Sequence, residues 1–146
     1  MPGDTDPLEV AARALRHRDR SAREVEARLE RAGIDGPRRS EALETLGRLG
    51  YVDDDRFART RADTLARRGR GDIAIRFELE RAGVEAEAVE TAIAALEPEL
   101  ERARAIVARD GATPRIARRL AANGFARETV EEVIAEDVAS DGGQAV

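Results

Sequence analysis

An all-α fold of three tandem three-helix repeats is predicted by three features of the sequence. First, a six-residue pattern recurs as Leu29-Glu30-Arg31-Ala32-Gly33-Ile34, Leu79-Glu80-Arg81-Ala82-Gly83-Val84 and Leu120-Ala121-Ala122-Asn123-Gly124-Phe125. Second, each copy has an apolar residue four positions before its leucine, namely Val25, Ile75 and Ile116, so both lie on one side of a helix. Third, aromatics make up only 3% of the chain, and no stretch alternates apolar and polar residues long enough for a strand. The glycine in each copy stops its helix, since the residue past a helix end commonly takes a left-handed conformation that glycine adopts without steric cost. Units of roughly 45 residues rarely bury enough surface to stand alone, so the repeats are expected to lean on one another.

The elements follow in order. Residues 1–6 precede any periodicity and are expected to form a disordered tail. The first repeat covers 7–52. Leu8, Ala12 and Leu15 give its first helix a short apolar stripe, and Ser21 with Glu24 forms a capping box for the second, which carries Val25 and Leu29. A third helix with Leu43, Leu46 and Leu49 ends at Gly50. The second repeat covers 53–97 and opens with Asp53 to Asp55, carboxylates that suit the positive end of a helix. Its helices present Phe57 and Leu65, then Ile75 and Leu79, then Val89, Ile93 and Leu96. Pro98 separates it from the third repeat, 98–138. There Leu100 to Val107 form one helix, Thr113 caps the next with Pro114 at its first position, and Val130, Val133 and Ile134 mark the last. Residues 139–146 are turn formers and are expected to be a second disordered tail.

Composition excludes several classes of function. There is no cysteine, so disulfides, thiolate nucleophiles and cysteine metal sites are absent. The N-terminus lacks a basic region followed by an apolar run, and no apolar stretch approaches the roughly 20 residues of a membrane span. A soluble, cytoplasmic protein without a membrane partner is expected. The only histidine, His17, sits in Arg-His-Arg-Asp-Arg and reads as a solvated surface residue. Gly69-Arg70-Gly71 lacks the Gly-Lys-Ser/Thr ending of a phosphate-binding loop and follows a helix rather than a strand. No enzyme activity, cofactor, metal or small-molecule substrate is therefore expected.

Charge is more informative. The formal net charge of −5 argues against a protein that simply coats nucleic acid, and every one of its 25 basic residues is arginine. Yet Arg56, Arg59, Arg61, Arg67, Arg68, Arg70 and Arg76 crowd the middle of the chain, while 85–101 and 128–141 are acidic. A local basic face can act where net charge would not predict it. In Gly50-Tyr51-Val52-Asp53-Asp54-Asp55-Arg56-Phe57-Ala58, glycine closes a helix, Tyr51 and Val52 are expected to seal the joint between repeats, and Phe57 to enter the core. Arg56, Arg59 and the arginines that follow are not required by that core, which leaves them for a partner.

This segment, followed by Arg68-Gly69-Arg70-Gly71 and by Ile75 through Glu78-Leu79-Glu80-Arg81-Ala82-Gly83-Val84, resembles the central signature of the bacterial RecX proteins. The resemblance extends over about residues 8–138, with the central repeat its specific part. Two positions depart from it. Asp72 stands where the family often has proline and is expected to cap the helix that follows, and Asn123 replaces a basic residue usual before Gly124-Phe125. The resemblance implies an elongated, curved array that acts as a non-enzymatic modulator of the RecA recombinase. Such proteins bind in the groove of the RecA filament on single-stranded DNA and inhibit strand exchange, ATP hydrolysis and coprotease activity. Arginine pairs bidentately with carboxylates or phosphates. Arg56, Arg59, Arg67, Arg68, Arg70 and Arg76 are thus the expected contacts, with RecA side chains or with the DNA backbone. Two rival readings are a helix-turn-helix-like DNA-binding protein, and a helical-repeat adaptor in which the arginines are locked in intramolecular pairs with Glu26, Glu30, Asp63 or Glu78.

Overall fold

The computed structural model describes residues 5–144. Among them the chain forms nine α-helices and no strand: α1 (Pro7–Leu15), α2 (Ala22–Arg31), α3 (Gly36–Arg48), α4 (Asp54–Arg67), α5 (Asp72–Arg81), α6 (Ala86–Ala94), α7 (Glu99–Asp110), α8 (Pro114–Ala122) and α9 (Arg127–Gln144). The extensive helix contacts fall within three triplets, α1–α3, α4–α6 and α7–α9.

Each triplet has its own core, built on the recurring pair. Val25 and Leu29 pack with Ala42, Leu46 and Val52 in the first. Ile75 and Leu79 pack with Phe57, Leu65 and Val89 in the second, and Ile116 and Leu120 with Ala103, Phe125 and Val133 in the third. The apolar residue after each signature glycine, Ile34, Val84 or Phe125, folds back and is buried. Its backbone N–H donates to the carbonyl of the signature leucine at 3.0–3.1 Å, closing the helix end. Arg104 of α7 reaches Glu136 of α9 at 2.7 and 2.9 Å, which ties the first and last helices of the third triplet.

The ends of the helices follow local chemistry where the sequence supplies it. Ser21 and Glu24 form both halves of the capping box, each bond at 3.1 Å. Asp53 accepts from the Arg56 N–H and Thr113 from the Ile116 N–H. Asp72 does not cap α5: it is the first helical residue, Gly71 holds the cap position without a side chain to offer, and another residue serves instead, as described below.

Several expectations are corrected. In α1 the core takes Ala11 and Ala14 rather than Leu8 and Ala12, both exposed, because small residues let α1 approach α2 and α3 together. Leu15 is partly buried against that core as expected, and together with Leu8 and Ala12 it also lines an apolar cleft with Leu46, Leu49 and Tyr51. Tyr51 is 61% exposed and does not seal the joint with its ring, whereas Val52 and Phe57 are buried as expected. Of the N-terminal tail, residues 1–4 lie outside the described residues, while Asp6 caps α1 and the Thr5 carbonyl accepts from Arg38 at 2.9 Å. At the other end α9 continues through 139–144, since adding a residue to an existing helix is far less costly than starting one; 145–146 lie outside the described residues.

Candidate functional site

The central arginines are best understood from the two joints that flank α4–α6, because the joints decide which of them are engaged. At the first joint the start of α2 meets the end of α5. The Ser21 hydroxyl donates to the Ala82 carbonyl at 2.6 Å, and the Ala22 N–H donates to Asp54 Oδ1 of α4 at 2.8 Å. Arg56 completes this joint. Its guanidinium donates to both Asp19 oxygens at 3.1 and 3.2 Å, to the Gly50 carbonyl at 2.8 Å and to the Tyr51 carbonyl at 3.3 Å. The Asp19 hydrogen bonds hold the Arg56 guanidinium above its ordinary range.

At the second joint the start of α5 meets the end of α8 in the same manner. The Gly71 N–H donates to the Asn123 carbonyl at 2.9 Å and the Ile73 N–H to the Gly124 carbonyl at 3.0 Å. Glu99 of α7 accepts from Asp72 N–H at 2.6 Å and from Ala126 N–H at 3.0 Å, so one carboxylate caps α5 and holds the entry to α9. Arg102 pairs with Asp72, donates to the Arg70 and Glu97 carbonyls at 2.9 Å, and lies 5.9 Å from the centre of the Phe125 ring. Burial pushes the Asp72 carboxyl above its usual range despite Arg102, with the Glu99 charge adding to the rise.

The six expected contact residues therefore divide. Arg56 is engaged in the first joint. Arg76 forks onto Glu90 at 2.6 and 3.1 Å, bracing α5 against α6, and this bond holds Glu90 below the usual carboxylate range. Arg59 is exposed and lines a polar cleft with Asp55, Glu85 and Glu87. Arg67 makes an exposed one-turn pair with Asp63 at 3.1 Å. Arg68 and Arg70 are exposed and form no ion pair among the described residues.

Arg67 and Arg68 come together at a groove of about 500 Å³ between the ends of α4 and α6 and the side of α7. Asp63, Glu97 and the arginines Arg102 and Arg109 share its lining with Ala66, Leu96, Ala105 and Ile106. Arg56, Arg59 and Arg76 are not part of it. Arg109, which the sequence reading did not single out, is tied to Asp110 at 3.1 Å.

A second feature lies on α5. Ile73 and Phe77 are 54% and 61% exposed, one turn apart and on the side of the helix opposite Ile75 and Leu79. The signal was present in Asp72-Ile73-Ala74-Ile75-Arg76-Phe77-Glu78-Leu79: two apolar pairs at helical spacing, of which one core can bury only one.

Among known proteins, residues 53–93 match the model of the RecX second three-helix domain. The chain is 36% identical over 142 residues to the regulatory protein RecX of Acidithiobacillus ferrooxidans, covering 89% of each chain. It is 34% identical over 130 residues to that of Xanthomonas axonopodis pv. citri, covering 86% of this chain and 80% of the relative. The crystal structure of RecX from Lactobacillus salivarius superposes with a TM-score of 0.76 at 20% identity, over 89% of this chain and 93% of that one. The architecture is thus held while four in five side chains differ. A core of recurring apolar pairs, glycine-stopped helices and a central three-helix unit matching this family's own, with identity spread along most of the chain, makes the protein a member of the RecX family of regulatory proteins.

Proposed function

We propose that the protein is a non-enzymatic regulator that binds the RecA filament on single-stranded DNA and lowers its recombinase, ATPase and coprotease activities. Family membership supports a regulatory role, and the observation that carries the choice of surface is the uneven engagement of the central arginines. Arg56 and Arg76 hold the fold together, whereas in a chain whose net charge is negative Arg68 and Arg70 are exposed without an ion pair among the described residues and Arg67 makes only an exposed one-turn pair with Asp63. An arginine without an intramolecular carboxylate presents a planar fork for a carboxylate or a phosphate. Three triplets joined in series offer separated contacts whose weak affinities combine through effective concentration.

The test is ATP hydrolysis by the cognate RecA on single-stranded DNA, titrated with the protein well below one copy per RecA. Inhibition without comparable affinity for the DNA alone supports the reading. No inhibition, with tight binding to duplex instead, favours the helix-turn-helix alternative. Reversing the charge in Arg67→Glu/Arg68→Glu is expected to weaken inhibition at least tenfold while stability stays within about 0.5 kcal/mol, since exposed pairs and free surface charges contribute little. Arg56→Ala is expected to do the opposite, loosening the first joint by about 1–3 kcal/mol through its lost charged hydrogen bonds.

A further inference from the structure

We infer that the outer face of α5, with Ile73 and Phe77 at its centre and Arg70 and Arg81 at its ends, docks an acidic amphipathic polypeptide segment of the partner. The inference rests on the filament reading above and specifies the chemistry of one contact within it.

Phe77 and Ile73 are more than half exposed, and neither belongs to the core that Ile75 and Leu79 fill. Aligning the three recurring pairs shows that the other second helices carry nothing comparable. The positions of Ile73 and Phe77 are held by Arg23 and Ala27 in α2 and by Pro114 and Arg118 in α8. The core therefore does not demand an apolar pair there, and the fold tolerates charge at those sites. Two apolar side chains one turn apart on a helix are the usual anchors for an apolar stripe on a partner segment. Aromatic side chains and arginine are the residue types that carry most binding energy at protein interfaces.

The face is also rigid before it binds. The N–H groups of Gly71, Asp72 and Ile73 are fixed by Asn123, Glu99 and Gly124, so the first turn of α5 cannot fray. Ordering that turn costs nothing at the moment of association.

Charge selects the occupant. Arg70 and Arg81 are exposed and make no ion pair among the described residues, whereas Arg76 is already matched to Glu90. Glu80, exposed on the same stripe, lies one turn from Arg76. From Asp72 to Arg81 the helix rises about 14 Å at 1.5 Å per residue, with Arg70 two residues before its start. The complementary segment has carboxylates about that far apart with apolar side chains between them. Nucleic acid fits poorly: one ring is too few for a stacking platform, and Ile73 has no π-face on which a base could stack.

The test compares the unaltered protein, Ile73→Ala/Phe77→Ala and Arg70→Glu/Arg81→Glu for binding to the cognate RecA filament on single-stranded DNA, and for binding to the same DNA without RecA. Both variants should melt as the unaltered protein does, because none of the four side chains is in a core. Loss of about thirtyfold in filament affinity for the alanine pair, with weak DNA binding unchanged, supports the inference. A comparable loss for the reversed-charge pair, enlarged at low salt, supports the acidic character of the segment. Full affinity in the alanine variant, while the unaltered protein binds, overturns this face and leaves the filament reading standing. Loss of binding to DNA alone assigns the face to nucleic acid and overturns it as a protein contact. A dimer by sedimentation that the alanine pair dissociates would give the face to a second copy and overturn it likewise. No binding of the unaltered protein to the filament removes both readings.

Discussion

Gly71 and Gly124 face each other across the second joint with no room for a side-chain carbon on either. A Cβ on Gly71 would lie 2.5 Å from the carbonyl carbon and oxygen of Gly124, and one on Gly124 would lie 2.5 Å from Ala74 Cβ. Gly124 also has φ +87°, where an L side chain is strained. Gly71→Ala is expected to destabilise the protein by about 1–3 kcal/mol in urea denaturation, as overpacking of tight contacts does, and Gly124→Ala by more because strain adds to overlap. Two acidic residues, Asp110 at the end of α7 and Asp72 at the second joint, respond to pH in opposite directions. Hydrogen bonds from Arg109, then from Arg119, lower the Asp110 pKa to about 2, so its contribution is present above the ordinary carboxylate pKa and is lost as pH falls toward 2. Asp72 is raised, so the folded state takes up that proton before the unfolded chain does and its contribution shrinks as pH rises through the raised value. A carboxyl ¹³C titration should place Asp110 near 2 and move it up in Arg109→Gln; an ordinary midpoint in the unaltered protein would remove the bond that this depends on. Residue-level partners of this kind were the least legible part of the sequence. The central cluster of arginines was visible, but Arg56 finds Asp19 and Arg76 finds Glu90 far away in the chain, and no local pattern records such pairings.

Helices α2 and α5 occupy equivalent places and solve the same problem differently. Each begins at a joint with backbone N–H groups that no turn of its own can satisfy. In α2 the capping box does part of this locally, and Asp54 supplies the bond to Ala22. In α5 the cap residue is Gly71, and the bond to the Asp72 N–H comes entirely from Glu99 of the next triplet. Ser21→Ala removes the cap together with the hydroxyl bond to Ala82, so a loss of about 1–2 kcal/mol is expected from denaturation curves, near the upper end for a helix cap. An unchanged midpoint would show that water replaces both bonds. Helix number, order and the glycine stops were legible, because periodicity and the glycine turn act within a few residues, whereas the continuation of α9 past 138 was not. The first helix was misread in part: Leu15 packs against the core, but Leu8 and Ala12 give way to Ala11 and Ala14, and only packing against two neighbours selects those smaller residues. The exposed pair on α5 was passed over for a related reason, since Ile73 and Phe77 look like core residues until Ile75 and Leu79 are seen to fill it.

Across the whole molecule the three small cores are separate, and hydrogen bonds at the joints connect them in order. At the α8 start Thr113 accepts from the Ile116 N–H and Pro114 has no N–H to offer. Cooperativity between the second and third triplets then depends on few groups, and Glu99 holds one of them, the Asp72 N–H, while its other oxygen fixes the Ala126 N–H within the third triplet. Glu99→Ala leaves both donors without an acceptor and removes a negative charge from the start of α5, where it suits the helix dipole. A cost on the order of 1–3 kcal/mol is expected for half-buried donors left unpaired, enough to separate a unit of this size from its neighbours. Native-state hydrogen exchange should therefore accelerate through α7–α9 and the first turn of α5 while α1–α3 keep their protection, and thermal unfolding should broaden or split. Uniform acceleration along the chain would mean that the cores communicate through apolar contact at the joint and that Glu99 acts only as a local cap. Localised loss would instead make the Glu99 bridge the element that sets the third triplet against the central one, and with it the width of the groove that Arg67 and Arg68 line.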